Sequence, residues 1–315
     1  MTTLTRNDCA AFLKERNGFA IITHSGPDGD TVGSAAALCL GLRKLGKTAH
    51  VVENAQLPKK FQHLLENLAK PAAENGDILI SVDTASAKMV SEDVGELANA
   101  IDLRIDHHGS GTPFAAFELV DSTAAACSEI IFDLLGLLGV EMDVSIANAL
   151  YTAVSTDTGC FRYANTTSRS FALASACAAV SPDIFRINQT LFDTVTLGRL
   201  RLEGWVTAHM ELLREGQIAI CAIPAELQEE LGLADEDMKN IAGFLRSIEG
   251  VKMAATGRQD TEGHTGLSVR AVPGWDAAAV CEKFGGGGHK GAAGASLGDV
   301  TLQEAMEALK EAIQK

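Results

Sequence analysis

Four stretches of the chain concentrate side chains that bind metal ions and move protons: His24-Ser25-Gly26-Pro27-Asp28-Gly29-Asp30, Asp83-Thr84, Asp106-His107-His108 and Thr156-Asp157-Thr158-Gly159. Suppose Asp28, Asp30, Asp83 and Asp157 met in one crevice as bare carboxylates. A pair 4 Å apart would repel by roughly 4 kcal/mol at an effective dielectric of about 20, and some of the four would have to take up protons. Two divalent cations balance the four charges, and His24 and His107 complete a mixed nitrogen and oxygen donor set. Such donors suit manganese, with iron, zinc or cobalt next; magnesium and calcium do not need imidazole. Six ligands for two ions leave positions open for water and substrate, which favours a catalytic over a structural site. Each residue alone has a plainer reading. Pro27-Asp28-Gly29 is a turn former, an Asp after a strand commonly caps a helix, and a lone His is usually a satisfied hydrogen-bonder. Their conjunction behind successive strands is what points to metal.

The elements that must position these groups read as an α/β fold, a mostly parallel sheet covered by helices, followed by a second, smaller α/β domain. Phe19 to His24, Thr48 to Val52, Asp77 to Asp83 and Ile101 to His107 have buried-strand patterns. Helical stretches separate them, which argues for parallel pairing with both faces covered. His24, Asp83 and Asp106-His107-His108 then fall at strand carboxyl ends, the edge at which open parallel sheets bind ligands. Ser128 to Leu138 and Asp143 to Val154 read as helices, the second running into Asp157, and a further helix opens at Ser181-Pro182. Thr194 to Leu213 reads as a long connecting helix. Beyond it come a strand (Gln217 to Ile223), a helix (Asp237 to Glu249), two strands (Val251 to Arg258, Gly266 to Val272), a helix (Asp276 to Phe284), the run Gly285-Gly286-Gly287-Gly288-His289-Lys290-Gly291, and a last helix from Thr301 to Lys315. The expected organisation is a metal-bearing domain over 1–190, a connection over 191–214 and a substrate-binding domain over 215–315.

Composition narrows the chemistry. The chain has 315 residues, of which 46% are hydrophobic, enough for two cored domains. Its formal charge of −15 disfavours long duplex DNA, whose affinity rests on Lys and Arg meeting phosphates. The 7 cysteines are scattered in apolar surroundings without a CxxC pair, as expected of small buried hydrophobes in a reducing compartment. With no basic-then-apolar leader and no apolar run of membrane-spanning length, the expectation is a cytoplasmic protein that does not engage membranes; dimer formation stays open.

In family order, His24 to Asp30, Asp83-Thr84, Asp106-His107-His108 and Thr156 to Gly159 resemble the four motifs of the DHH phosphoesterase superfamily, and Gly285 to Gly294 resembles the nucleotide-binding motif of its associated C-terminal domain. In length and domain content the chain is most similar to that superfamily's bifunctional oligoribonuclease/pAp-phosphatase group, the NrnA-like nanoRNases. The resemblance implies two manganese ions, one on His24, Asp28 and Asp83, the other on Asp30, Asp83, His107 and Asp157, with Asp83 bridging. It implies that Asp106 orients the histidine pair and that His108 meets the scissile phosphate. It also implies that Arg270, Gly285, Gly286, Gly287, Gly288 and His289 receive a terminal phosphate or nucleotide. One departure is that Arg270 is followed by Ala271 where many relatives carry Ser.

The glycine run by itself is open to two readings, an anion-binding set of backbone amides or a flexible loop. Residues 246 to 290 hold six basic and five acidic side chains, a local charge of +1 against −16 elsewhere, which suits a short anionic ligand. Phe161 and Arg162, just past Asp157, read equally as a stacking and phosphate contact or as a core Phe beside a surface Arg. The expected activity is hydrolysis of very short RNA to mononucleotides and of 3′-phosphoadenosine 5′-phosphate (pAp) to AMP and phosphate. A phosphodiesterase for cyclic dinucleotides or linear dinucleotides is the alternative. A manganese pyrophosphatase would lack the glycine run, a RecJ-like exonuclease would carry a further single-strand-binding module, and a purely regulatory module would have lost ligands that are all present here.

Overall fold

The structure is a computed structural model that describes residues 1–260 and 263–314; Thr261, Glu262 and Lys315, the expected end of the last helix, lie outside the described residues. The chain folds as two units, Met1–Thr194 and Val195–Lys315. In chain order the first contains β1 (Thr2–Thr3), α1 (Arg6–Glu15), β2 (Phe19–Ile22), α2 (Gly29–Lys44), β3 (Ala49–Val52), β4 (Ala69–Lys70), β5 (Ile78–Val82), β6 (Leu103–Asp106), β7 (Phe117–Val120), α3 (Cys127–Leu137), α4 (Val144–Asp157), α5 (Ser168–Val180) and α6 (Ile184–Asn188).

The strands form one seven-stranded sheet in the order β4-β3-β2-β5-β6-β7-β1, and every pairing is parallel. Period-two alternation sends Phe19 and Ile21 of β2 into the core beneath α2, α3 and α4, and Ala20 and Ile22 into a second cluster with Val90, Val94 and Ile101. Burial on both faces explains why these strands read as continuous apolar runs. The four strands predicted in this unit are each one to three residues shorter in the structure. The edge strands β1 and β4, and β7 beside β1, escaped the sequence reading; a two-residue strand carries too little pattern to be read. The helix expected to open at Ser181-Pro182 starts instead at Ile184; the Ser181 hydroxyl accepts from the Asp183 amide in a turn.

The second unit contains α7 (Leu197–His209), β8 (Glu211–Leu213), β9 (Ile218–Ile223), α8 (Glu226–Glu230), α9 (Ile241–Arg246), β10 (Met253–Gln259), β11 (Thr265–Ala271), α10 (Ala277–Glu282), β12 (Gly287–His289), β13 (Ala292–Ser296) and α11 (Leu302–Gln314). Its sheet runs β12-β13-β11-β10-β9-β8 and is antiparallel except for β9 with β10. The predicted helix to Leu213 stops at His209, because Glu211 to Leu213 turn back as a strand beside β9. The helix expected over Asp237 to Glu249 is only Ile241–Arg246, since Asn240 takes a left-handed conformation (φ 56°) that breaks the helix there.

Candidate metal centre

Asp28 turns out to be a helix cap as well as a site residue. Its Oδ1 accepts from the amides of Asp30 (2.9 Å) and Thr31 (3.2 Å) at the start of α2. Asp30 caps a second helix from outside: its two oxygens accept from the Cys127 amide (2.6 Å) and the Ser128 amide (3.2 Å), where α3 has no side-chain cap of its own. Asp83 sits at the end of β5 in a left-handed conformation (φ 55°), which is costly for a non-glycine residue and typical of functional sites. Asp157 closes the last turn of α4, which packs against α2.

These supports bring all six sequence-predicted metal residues together. His24 Nε2 lies 3.7 Å from Asp28 Oδ1 and 3.8 Å from Asp83 Oδ2. His107 Nε2 lies 3.3 Å from Asp83 Oδ1, 3.6 Å from Asp157 Oδ2 and 3.9 Å from Asp30 Oδ2. Each oxygen of Asp83 thus faces a different histidine. Among the described residues, three groups have ligand atoms mutually within 4.8 Å and could hold a metal ion: His24 with Asp28 and Asp83, Asp30 with His107 and Asp157, and Asp83 with His107 and His108. Asp83 Oδ1 is buried and accepts no hydrogen bond among the described residues despite its nearness to His107. A buried carboxylate oxygen in that condition wants a cation, so the donor set fits the implied ions.

The electrostatics agree. Burial alone would lower the pKa of both imidazoles, yet Asp28 and Asp83 raise His24 to about 9, and Asp83, Asp30 and Asp157 raise His107 to about 10. Burial, with Asp83 and Asp157 nearby, pushes Asp30 well above the usual carboxylate range. Burial, with Asp83 and Asp28, lifts Asp157 to about 6 against the pull of His107. The cluster keeps its negative charge only in the company of positive charge.

Behind it runs a chain of supports that starts from His108 and Asp106, both sequence-predicted, and continues into Arg104 and Glu118, which sequence reading missed. His108 Nδ1 is 2.8 Å from Asp106 Oδ1, and that hydrogen bond is the main reason the His108 pKa is raised. Burial would raise Asp106 as well, but His108 and Arg104 hold it below the usual range. Arg104, 1% exposed, pairs with Asp106 and with Glu118 (3.2 Å) and donates to the Ala85 carbonyl (3.2 Å). An arginine amid the apolar residues of a fully buried strand was the available signal. On the other flank, Asn54 Nδ2 donates to the His24 carbonyl (2.9 Å) and Gln56 Oε1 accepts from the Ser25 hydroxyl (2.9 Å). Nothing in the sequence marks Asn54 or Gln56.

Of the remaining candidates, Phe161 is half-buried and stacked on Phe171 with centroids 5.4 Å apart, and Arg162 Nε donates to the Gly159 carbonyl (2.7 Å). Arg270 is in the second unit, its Nη1 donating to Ser268 Oγ (3.3 Å) and the Val269 carbonyl (3.0 Å). The glycine run is ordered by backbone pairing, which the flexible-loop reading does not anticipate. The Gly285 and Gly286 amides donate to the Glu282 and Cys281 carbonyls at the end of α10, and Gly287 to His289 form β12 against β13. Only glycine fits Gly286, where an added Cβ would lie 2.2 Å from the Gly294 carbonyl oxygen.

Comparison with known proteins yields consistent relatives. The model of the DHH family N-terminal domain matches residues 18–154, and that of the DHHA1 domain matches residues 216–315. The chain is 33% identical over 297 residues to the bifunctional oligoribonuclease and PAP phosphatase NrnA of Thermus thermophilus, covering 94% of this chain and 89% of that one. It is 26% identical to the cyclic-di-AMP phosphodiesterase GdpP of Geobacillus thermodenitrificans, over 96% of this chain but 48% of that protein. In fold it is similar to an exopolyphosphatase-related protein from Bacteroides fragilis, with TM-score 0.86 at 23% identity over 98% of this chain and 95% of the other.

Proposed function

The chain belongs to the DHH family of phosphoesterases, and on that premise we propose that it hydrolyses short oligoribonucleotides to mononucleotides and pAp to AMP and phosphate. Two divalent cations would serve the reaction, and manganese best matches the mixed donors. The observation that carries this reading is Asp83, whose two oxygens face His24 and His107 from the centre of two ligand groups. His24, Asp28 and Asp83 would hold one ion; Asp30, His107, Asp157 and Asp83 would hold the other. Bound there, the cations supply Lewis-acid charge for phosphate oxygens and for the attacking water.

The chain's own residues do the rest. Asp106, kept ionised by Arg104, fixes the His108 ring through Nδ1 and leaves Nε2 to donate to the phosphoryl or leaving oxygen. Asp30 and Asp28 are held by helix amides, so they need no rearrangement on binding. No nucleophilic serine or cysteine is required, and 6 of the 7 cysteines are buried. Arg270, Gly287, Gly288 and His289 take the nucleotide portion of the substrate, while Gly285 and Gly286 shape the hairpin that presents them.

The experiment is parallel turnover of pAp, a di- to pentaribonucleotide series, a cyclic dinucleotide and pyrophosphate with manganese. Release of mononucleotides from RNA and phosphate from pAp is expected. Turnover confined to the cyclic dinucleotide would move the chain to the phosphodiesterase reading that the likeness to GdpP favours.

A further inference from the structure

We propose that the second unit carries an additional phosphate subsite, centred on Arg258, which takes an internucleotide phosphate of an oligoribonucleotide too long to be held at Arg270 alone. This rests on the oligoribonuclease reading above. Arg258 of β10 is paired with Gly266 of β11, Thr256 with Ser268, and Ala254 with Arg270. Directly paired residues share a sheet face, as do residues two or four apart along a strand. Arg258, Ser268 and Arg270 therefore stand on one face, with Ser268 between the arginines. Four residues of strand separate the two arginines by about 13 Å along the strand direction.

Around Arg258 this face opens into a cavity of about 310 Å³, bordered by Lys239, Asn240, Thr256, His264 and Ser268. Ser268 lines the cavity and also accepts from the Arg270 guanidinium, so the two places are continuous. The other charges nearby are already engaged. Lys239 Nζ is 2.7 Å from Glu236, and Asp260 accepts from the His264 amide (2.9 Å) and faces its ring at 3.3 Å. Arg258 is half-buried and has neither a hydrogen bond nor an ion pair among the described residues. A guanidinium partly withdrawn from water without an acceptor gains by meeting an anion, and its planar fork matches two phosphate oxygens. Thr256 and Ser268 offer hydroxyls to the adjoining sugar. A ligand anchored at Arg270 needs further nucleotides to reach this point, so the subsite reads length.

The test is equilibrium binding of end-labelled di- and pentaribonucleotides to the full chain in EDTA, where nothing is turned over, with wild type and Arg258→Gln compared. The variant is expected to bind the pentamer about tenfold more weakly, the usual worth of one charged hydrogen-bonded contact, and to flatten its log-log salt dependence by about 0.7. Dinucleotide binding should not change. Equal weakening of both lengths, no weakening of either, or a wild type that does not prefer the pentamer would each overturn the subsite. Turnover of pAp and dinucleotide with manganese, run beside it, reports on the proposed activity separately: Arg258→Gln should retain both rates.

Discussion

Gly29 lies flat against Thr156: a Cβ built on Gly29 would fall 2.4 Å from Thr156 Oγ1 and 2.5 Å from its Cγ2. This contact sets how near the start of α2, which carries Asp28 and Asp30, comes to the end of α4, which carries Asp157. One turn along α2, Gly33 repeats the approach, with a Cβ there falling 2.3 Å from the Ala149 carbonyl oxygen. Two glycines four apart let the helices meet backbone to backbone, and the proposed metal ligands at their ends, Asp28, Asp30 and Asp157, converge as a result.

Gly29→Ala should therefore force the helices apart and cost about 1 to 3 kcal/mol of stability. Manganese binding should weaken along with it. Thr156→Ala removes the two nearest atoms, so the double variant should recover much of both losses. Thermal melting and metal titration measure them; a Gly29→Ala protein with unchanged manganese affinity would detach the helix contact from the site.

Asp83→Ala is expected to abolish hydrolysis and reduce bound manganese, measured by elemental analysis after gel filtration. A ligand that serves both ions affects both when removed. Full metal content and retained activity in this variant would contradict the bridging assignment.

Adding manganese to metal-stripped protein should raise its melting temperature, because the ions relieve the repulsion among Asp28, Asp30, Asp83 and Asp157. At a free concentration one hundred times Kd, one site contributes about 2.7 kcal/mol. The shift should be absent in Asp83→Ala, and an equal shift there would place the ions elsewhere.

Arg104 holds two buried carboxylates, so Arg104→Met should destabilise the chain by about 3 to 5 kcal/mol. Combining it with Glu118→Gln removes one of the stranded charges and should recover part of that loss. Hydrolysis should stay low in the double variant, in kcat more than KM, because Asp106 still lacks its partner behind His108. A double variant with wild-type kcat would reduce Arg104 to a structural role.

Asp121 provides a pH dependence away from the site. Burial would raise its pKa, but the Thr123 hydroxyl, Arg169 and Arg6 hold it far below the usual carboxylate range. A group whose folded pKa is depressed contributes stability that is complete above its unfolded pKa of about 3.9 and is lost as the pH falls further. Urea midpoints should show wild type more stable than Asp121→Asn at pH 7, with the gap closing below pH ~4. A gap independent of pH would mean that the ion pairs are not its source.

The sequence by itself determined the candidate donor set, the sheet class and the edge of the sheet where those residues sit. Ligand chemistry is a matter of residue type, and a strand buried on both faces writes its apolar run directly into the chain. His24, Asp83 and His107 were legible because each follows such a run. Only the tertiary structure decided how closely the donors approach one another. The nearness of Asp28 and Asp30 to Asp157 depends on the crossing of α2 and α4 at Gly29 and Thr156, residues 127 positions apart. The same holds for Arg104, whose worth lies in Asp106, Glu118 and Ala85 closing around it, and for the glycine run, which reads as a loop until β13 supplies a partner strand. Spacing along a chain records local geometry, whereas these contacts exist only once distant segments have paid the entropy of meeting.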